Sequence, residues 1–249
     1  MTSEDPTFTL HPNRVDVWQL PLPTTLDQST LAEARSLLSS DELERASRFY
    51  KLEHSIAFIA SHAWLRILLS RYLNTDPRTL TFATASLGKP HLAHPDVPLR
   101  YNLSHTQGRA LLAVTQQHEI GADIEYVRPI PEIDDIALTH FTPAERNELA
   151  QAPDAQQKQH TFHRIWTAKE ALLKAFGSGL YLPLLETEVT YTPASAPAVR
   201  ALPVSTKSNP ADWRLFPIAT DPPYTATIAV PASIRICHSF NSPSIFQLM

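Results

Sequence analysis

Ile120-Gly121-Ala122-Asp123-Ile124-Glu125 is the stretch around which the rest of this chain is organised. With the two-residue period of a β-strand, three apolar side chains point to one face: Ile120, Ala122 and Ile124. The opposite face carries the carboxylates of Asp123 and Glu125. Acids there are unfavourable unless water or a cation reaches them. The stretch alone therefore predicts either a solvated edge strand or a site that binds a cation.

A second stretch, Trp166–Lys174, favours the cation site. It belongs to a long helix predicted from about Ala155 to Phe176 and ended by Gly177 and Gly179. Successive helical residues are rotated by ~100°, which places Glu170 and Lys174 opposite the face formed by the apolar residues of this helix. They could form a surface ion pair contributing about 0.3 kcal/mol. The alternative places Glu170 beside Asp123 and Glu125, with Lys174 one turn further along the helix.

Composition limits the class of protein. With 249 residues, 43% hydrophobic and 18% charged, the chain is expected to be globular, as one large domain or two small ones. A net charge of −4 argues against a nucleic-acid binder. The single cysteine excludes a disulfide framework and a thiolate zinc site. A polar N-terminus and the absence of a ~20-residue apolar run predict a cytoplasmic protein without a membrane span.

The order of predicted elements repeats along the chain. A strand at Val15–Leu20, short helices, a long helix from about Glu53 to Leu73 and three strands form the first series. The second series begins at Ile120–Glu125 and follows the same order. We therefore expect an α+β fold built as a pseudo-dimer, with residues 1–117 and 118–249 as its halves. In each half a small antiparallel sheet would pack on a long helix.

The acids suit a hard cation. Three carboxylates, without cysteine or a histidine at ligand spacing, match Mg²⁺ held together with substrate phosphate oxygens. Lys89 and Pro90 form a rigid turn with Gly88 that is either an ordinary surface turn or a phosphate contact. Ser104 and His105 leave a strand and could also bind phosphate. A hydrolase is disfavoured, because adjacent side chains point apart and the glycines of a nucleophile elbow are absent around Ser104.

In this order the segments resemble the 4′-phosphopantetheinyl transferases, in particular the surfactin-synthetase-activating type, whose two halves lie in one chain. The resemblance extends from about residue 39 to 183. Its most specific parts are the acid pair and the Trp–Lys–Glu–Lys helix. The matching segments are Gly88–Pro90, Asn102–Thr106, Ile120–Glu125, Phe141–Glu145 and Trp166–Leu180.

The resemblance implies transfer of the phosphopantetheine arm of coenzyme A to a serine of an apo acyl or peptidyl carrier protein, releasing 3′,5′-ADP. Asp123, Glu125 and Glu170 would hold Mg²⁺ on the pyrophosphate. Asp123, Glu170 and Lys174 would form the catalytic set, and either Glu170 or Lys174 could deprotonate the serine. The expected coenzyme A contacts are Arg45, Arg48, Lys89, Pro90, Ser104, His105 and Lys169. No nucleic acid or membrane partner is expected, and a monomer is predicted.

One departure concerns the 3′-phosphate of coenzyme A. In the resembled family, basic residues near the start of the first long helix bind this group. Here Glu53–Phe58 contains neither Arg nor Lys, and Arg45 and Arg48, one helix earlier, match the basic pattern better. Two other functions stay open: another Mg²⁺-dependent phosphotransferase acting on coenzyme A or a nucleotide, and a non-catalytic paralogue that binds coenzyme A or a carrier protein.

Overall fold

The structure is a computed structural model of the chain, and it describes residues 8–177, 182–191 and 196–241. The helices in these ranges are α1 Gln28–Ser36, α2 Ser40–Ser47, α3 Leu52–Leu73, α4 Ile133–His140, α5 Pro143–Ala150 and α6 Ala155–Phe176. The strands are β1 Arg14–Pro21, β2 Thr81–Thr84, β3 Pro90–His94, β4 Leu99–Thr106, β5 Arg109–Gln116, β6 Gly121–Tyr126, β7 Glu188–Thr190, β8 Ala198–Ala201, β9 Trp213–Ile218, β10 Tyr224–Pro231 and β11 Ile236–Asn241. The α+β prediction is confirmed.

The two halves repeat one order: a strand, two short helices, a 22-residue helix and two hairpins. In the first half, β1 pairs with β5 and β5 with β4. In the second half, β6 pairs with β10 and β10 with β9 in the same arrangement. The prediction of three strands after each long helix is wrong. β3 and β8 were missed because each is a short strand of a two-stranded hairpin, and neither has a long alternating apolar pattern.

The last described strand, β11, crosses between the halves. It pairs in parallel with β1, so the first sheet has the order β11-β1-β5-β4 and is not purely antiparallel. The division of the chain at residue 117 stays a prediction, and residues 236–241 of the second range complete the sheet of the first. The described part of the connection 192–212 contains β8.

Capping boxes start the short helix before each long helix. Ser39 Oγ accepts a hydrogen bond from the amide of Glu42, and Thr142 Oγ1 accepts one from the amide of Glu145. Each glutamate carboxylate in turn accepts a hydrogen bond from the backbone amide of its cap residue. The first of the two glycines expected to end α6, Gly177, adopts φ 65°, a left-handed conformation that costs glycine little. The second, Gly179, lies outside the described residues.

The described residues form three apolar cores. One lies between α3 and the first sheet, and another between α6 and the second sheet. The third joins the two sheets through the face of β6 that the sequence predicted to be apolar, Ile120, Ala122 and Ile124, together with Val17 and Leu111 of the first sheet. The opposite face of β6 therefore points toward α6, where the acids of the two elements meet.

Candidate active site

Asp123 lies at the centre of the site, and the residue is 4% exposed. Its Oδ1 accepts from Lys174 Nζ at 2.5 Å and from Ser104 Oγ at 3.1 Å. Lys174 Nζ also donates to Ser104 Oγ at 3.0 Å. The other oxygen, Oδ2, is buried and has no hydrogen-bond partner. A buried carboxylate oxygen without a donor is unfavourable in a folded protein unless a cation or water satisfies it.

Gly121 lets β6 approach α6 closely enough to form this site. A Cβ atom at Gly121 would lie 1.8 Å from the carbonyl oxygen of Ala171 and 2.4 Å from the amide nitrogen of Ala175. Both atoms belong to the helix backbone, which cannot move aside as a flexible side chain can. A glycine inside a strand often marks such a close approach. Asp123 is therefore placed beside Glu170 and Lys174 by a residue for which sequence analysis gave no role.

Two further carboxylates flank Asp123. Burial raises the pKa of Glu125 to about 7, helped by the charges of Asp123 and Glu170 and opposed by Lys174 and Arg128. Burial also raises the pKa of Glu170, with the Asp123 charge adding to the effect. The three predicted acids therefore interact across β6 and α6. The solvated edge strand is excluded, because Asp123 is buried.

The residues fit a hard divalent cation by the chemistry of their donors. Asp123 Oδ2 has no protein donor, and the pKa values of Glu125 and Glu170 are raised partly by neighbouring negative charge. As the side chains stand, no three Asp, Glu, His or Cys residues in the described part of the chain are grouped as a metal site. The Lys174 ammonium supplies the positive charge at Asp123 Oδ1.

A groove next to β4 is lined by residues of the first half, among them the acids Asp41 and Glu42. It has a volume of about 290 Å³ and contains Arg45, Phe58, His62, Pro90 and His105. The Arg45 guanidinium lies 5.4 Å from the centre of the Phe58 ring, and the His62 ring stacks on Phe58 at 3.8 Å. Desolvation, followed by the Lys174 and Arg45 charges, lowers the pKa of His105. The groove thus combines flat rings with an arginine, which suits a planar group that carries phosphate.

A cleft of about 230 Å³ shares Pro90 with this groove and reaches Lys174 of α6. A larger cavity of about 590 Å³ also borders His105 and is lined by Lys51 and His54. Of the predicted residues, Arg45, Pro90 and His105 line the groove, and Pro90 and Lys174 line the cleft. Ser104 is joined to the cleft by its hydrogen bond with Lys174.

Lys89 lines the cleft, but its ammonium group already donates to three acceptors of the protein. Its Nζ donates to Glu119 Oε2 at 2.5 Å, to the Ile120 carbonyl at 3.0 Å and to the Ala175 carbonyl at 3.1 Å. The last contact satisfies a carbonyl at the C-terminus of α6. A phosphate contact by Lys89 would require it to leave these acceptors, so that role stays a prediction.

Two residues predicted to contact coenzyme A lie away from the groove. Arg48, at the end of α2, pairs with Glu44 and has a side chain that is 72% exposed, so its charge is directed to solvent. Lys169 is fully buried, and its Nζ donates to Glu145 Oε2 at 2.5 Å and to the Thr187 carbonyl at 2.7 Å. Its position is not open to coenzyme A. The helical period could have shown this, because Lys169 follows Ile165 by four residues and precedes Leu172 by three.

Sequence analysis also gave no role to Asn102 and Thr106. Asn102 Oδ1 accepts from the amide of Ala122, and Thr106 Oγ1 accepts from that of Tyr126. Their alternation with Ser104 along one strand was the signal that could have found them.

Together, the fold and the site define a two-half α+β protein with a carboxylate–lysine centre suited to a phosphate ester or anhydride. Residues 119–229 match the family model described as "4′-phosphopantetheinyl transferase superfamily". Residues 25–117 match "4′-phosphopantetheinyl transferase, N-terminal". The chain belongs to the 4′-phosphopantetheinyl transferase superfamily.

Two sequence relatives agree with this assignment. The chain is 39% identical over 227 residues to 4′-phosphopantetheinyl transferase HetI of Nostoc sp. strain PCC 7120, covering 90% of this chain and 91% of the relative. It is 32% identical over 160 residues to 4′-phosphopantetheinyl transferase Sfp of Bacillus subtilis strain 168, covering 64% and 69%. The crystal structure of holo-ACP-synthase from Plasmodium yoelii covers 45% of this chain and 92% of its own, with 19% identity and a TM-score of 0.38.

The comparisons confirm the resemblance drawn from the sequence and the expectation of a transferase of this class. Magnesium, the roles of individual residues and the oligomeric state remain predictions. No helix in the described part of the chain combines the length and the apolarity that crossing a membrane requires.

Proposed function

We propose that this chain transfers the 4′-phosphopantetheine arm of coenzyme A to a serine of an apo acyl or peptidyl carrier protein in a Mg²⁺-dependent reaction. The serine oxygen forms a bond to the phosphorus that carries the pantetheine arm. The pyrophosphate bond at that phosphorus breaks, and 3′,5′-ADP leaves. The proposal is carried by one observation: Lys174, bound to the buried Asp123 carboxylate beside Glu170, lines a cleft that adjoins the groove containing Arg45 and His105.

Asp123, Glu125 and Glu170 are the residues that would hold Mg²⁺. The bound ion would neutralise charge on the pyrophosphate, which lowers the barrier to attack on phosphorus. Asp123 Oδ2 supports this assignment because it is buried and lacks a donor. The raised pKa values of Glu125 and Glu170 support it as well, since a nearby cation would favour their ionised forms.

Glu170 is the better candidate to accept the proton of the carrier serine. An ionised carboxylate can accept a proton, whereas an ammonium that pairs with Asp123 cannot. Lys174 donates to Asp123 and Ser104, so its ammonium is placed to neutralise charge rather than to accept a proton. Ser104 holds this pair together and is a positioning residue in the proposal.

The groove is proposed to hold the nucleotide end of coenzyme A. Arg45 supplies a fork of donors suited to phosphate. His105 interacts with the positive charges of both Lys174 and Arg45. Pro90 lines both the groove and the cleft that reaches Lys174, so a long ligand could pass from one to the other. Lys89 is proposed only as part of the cleft wall.

One experiment distinguishes the proposed transfer from the two alternatives, another phosphotransferase and a non-catalytic paralogue. The purified chain is mixed with coenzyme A, Mg²⁺ and apo acyl or peptidyl carrier proteins, and the carriers are weighed by mass spectrometry while 3′,5′-ADP is measured. We expect each accepted carrier to gain one phosphopantetheine, with equal release of 3′,5′-ADP. EDTA and Asp123→Ala should abolish the gain.

A different result identifies an alternative. Coenzyme A or nucleotide turnover without modified carriers would indicate another phosphotransferase. Binding of coenzyme A or carriers without turnover would indicate a non-catalytic paralogue. The interacting acids and Lys174 argue against the paralogue, because binding alone does not require a buried charged cluster that is unfavourable to fold.

A cytoplasmic location and a monomeric state are also part of the proposal. The two halves of one chain already provide both sides of the site, so a second copy is not required to complete it. Light scattering on the purified protein, with and without coenzyme A, measures the oligomeric state directly.

A further inference from the structure

The edges of the two sheets meet at β4 and β6 without a backbone ladder. β4 is the last strand of the order β11-β1-β5-β4, and β6 is the first strand of β6-β10-β9. Because β6 pairs with β10 on one side only, alternate amide groups point away from that ladder. Ala122 N donates to Asn102 Oδ1 at 2.8 Å, and Tyr126 N donates to Thr106 Oγ1 at 3.3 Å. Side chains of β4 therefore replace a neighbouring backbone as acceptors.

These bonds have a regular spacing. Each joins residues that are 20 apart in the sequence, which places β4 and β6 side by side, parallel and in a single register. Between the two bonds, Ser104 Oγ donates to the Asp123 carboxylate. Asn102, Ser104 and Thr106 are alternate residues and share one face of β4. We call these three residues the polar seam.

We propose that Asn102 and Thr106 are positioning residues for transfer, because they hold the acids of β6 in register with the groove of the first half. This inference rests on the proposed function. The anchored amides of Ala122 and Tyr126 bracket both Asp123 and Glu125 along the chain. On the other side of the seam, His105 follows Ser104 and lines the groove. The seam is thus the direct hydrogen-bonded link between the two sets of groups that must act on one substrate.

The geometry explains why the register matters. A slip of one residue moves one strand past the other by about 3.3 Å and turns alternate side chains to the opposite face. A misplacement of ~1 Å at a reacting centre can already lower a rate about 100-fold. Apolar packing between the sheets is non-directional, so it tolerates shifts smaller than one residue. Hydrogen bonds tolerate such shifts less, because their strength depends on distance and angle.

The test uses variants that keep volume but lose the acceptor. Thr106→Val and Asn102→Leu remove the two acceptors, and Thr106→Ser keeps a hydroxyl as the matched control. Four quantities are measured for each: kcat and KM for carrier modification, coenzyme A affinity by titration calorimetry without metal, Mn²⁺ affinity by electron paramagnetic resonance, and Tm.

We expect Thr106→Val and Asn102→Leu to lower kcat about tenfold or more, because the acids are displaced from the phosphate. Mn²⁺ affinity should fall in the same variants. In Thr106→Val, coenzyme A affinity without metal should stay within about twofold of the parent, because Thr106 lines neither the groove nor the cleft. Asn102 lines both, so Asn102→Leu is assessed by kcat and Mn²⁺ affinity. Thr106→Ser, which keeps the hydroxyl acceptor, should retain both the parent kcat and the parent Mn²⁺ affinity.

Parent-like kcat and Mn²⁺ affinity in both apolar variants would overturn the proposal. The proposal would also be overturned if Thr106→Val and Thr106→Ser both lost kcat, coenzyme A affinity and Tm together, since this would indicate general unfolding. If the parent protein modifies no carrier, the proposed function fails. The Mn²⁺ and coenzyme A measurements then still decide whether the seam positions the acids.

Discussion

Lys169 of α6 is the structural counterpart of Arg66 of α3. Lys169 lies 14 residues after Ala155, and Arg66 lies 14 residues after Leu52, the first residues of the two 22-residue helices. Each side chain is buried and bound to the capping-box glutamate of the preceding short helix.

The two contacts are closely similar. Lys169 Nζ lies 2.5 Å from Glu145 Oε2, and Arg66 Nη2 lies 2.7 Å from Glu42 Oε2. Each cation also donates to a carbonyl beyond its helix, Thr187 for Lys169 and Leu80 for Arg66. The same buried anchor therefore occurs in both halves, and Lys169 belongs to the fold and not to the substrate site.

Removing Lys169 should destabilise the protein strongly. Lys169→Met leaves the Glu145 carboxylate buried without its cation, which typically costs about 3–5 kcal/mol. Denaturant unfolding measures this loss. Adding Glu145→Gln to the same chain should recover part of the stability. Lys158→Met, whose partner Asp134 lies on the surface, is the control and should change the free energy of unfolding less. Unchanged stability with weakened coenzyme A binding in Lys169→Met would return Lys169 to the substrate site.

The acid cluster gives a prediction about metal and activity. Asp123→Ala and Glu170→Gln should each lower kcat/KM more than about 100-fold, because loss of a ligand should exceed the 10–100-fold effect of outer-shell partners. Circular dichroism should show an intact fold. Glu125→Gln should have a smaller effect, since one carboxylate of such a set can act through water. Asp134→Asn, at an acid that pairs with Lys158 on the surface, is the matched control. Ordinary turnover by Asp123→Ala at saturating Mg²⁺ would contradict the assignment.

The side chains of Arg45 and Arg48 lie in different surroundings, and this difference predicts which of them binds the 3′-phosphate. Arg45 lines the groove, whereas Arg48 pairs with Glu44 in solvent. Arg45→Ala should lower kcat/KM for coenzyme A about 10- to 100-fold, the loss expected for a charged hydrogen bond of about 1.5–3 kcal/mol. Arg48→Ala should have little effect.

The substrate comparison completes this test. If Arg45 binds the 3′-phosphate, dephospho-coenzyme A should be a poor substrate for the parent protein, and Arg45→Ala should reduce the preference between the two forms. Equal kcat/KM values for both substrates in the parent would show that the 3′-phosphate is not recognised.

Glu125 predicts a pH dependence of stability without metal. Burial and the neighbouring acids raise its pKa from an ordinary 4.5 to about 7 in the folded chain. Between these values the folded state retains a proton that the unfolded state has released, so the contribution of Glu125 to stability falls as pH rises through this window. Below the window it is neutral in both states, and no penalty applies.

The measurement compares Glu125→Gln with the parent by denaturant unfolding in EDTA. At pH 8 the variant should be more stable than the parent, and at pH 4.5 the difference should become small. Glu33→Gln, at an exposed acid on α1, is the control and should show no such trend. A difference that grows toward low pH would contradict the raised pKa.

Several features of the site could be predicted from the sequence, because they depend on local geometry. The two-residue period of β6 assigned Asp123 and Glu125 to the face opposite its apolar residues, and the helical period placed Glu170 and Lys174 together on α6. Both capping boxes were visible as residue pairs three apart. These patterns follow from backbone geometry within one element, so no knowledge of the remaining chain is needed.

What only the tertiary structure decided is which elements face one another. The pairing of β11 with β1, the polar seam between β4 and β6, and the groove that holds Arg45 but not Arg48 all join segments that are distant in the sequence. Periodicity tells which side of an element is apolar, but not what packs against it. For the same reason a charged residue such as Lys169 could be assigned to the substrate site by its motif, while a buried carboxylate on a neighbouring helix determined its role.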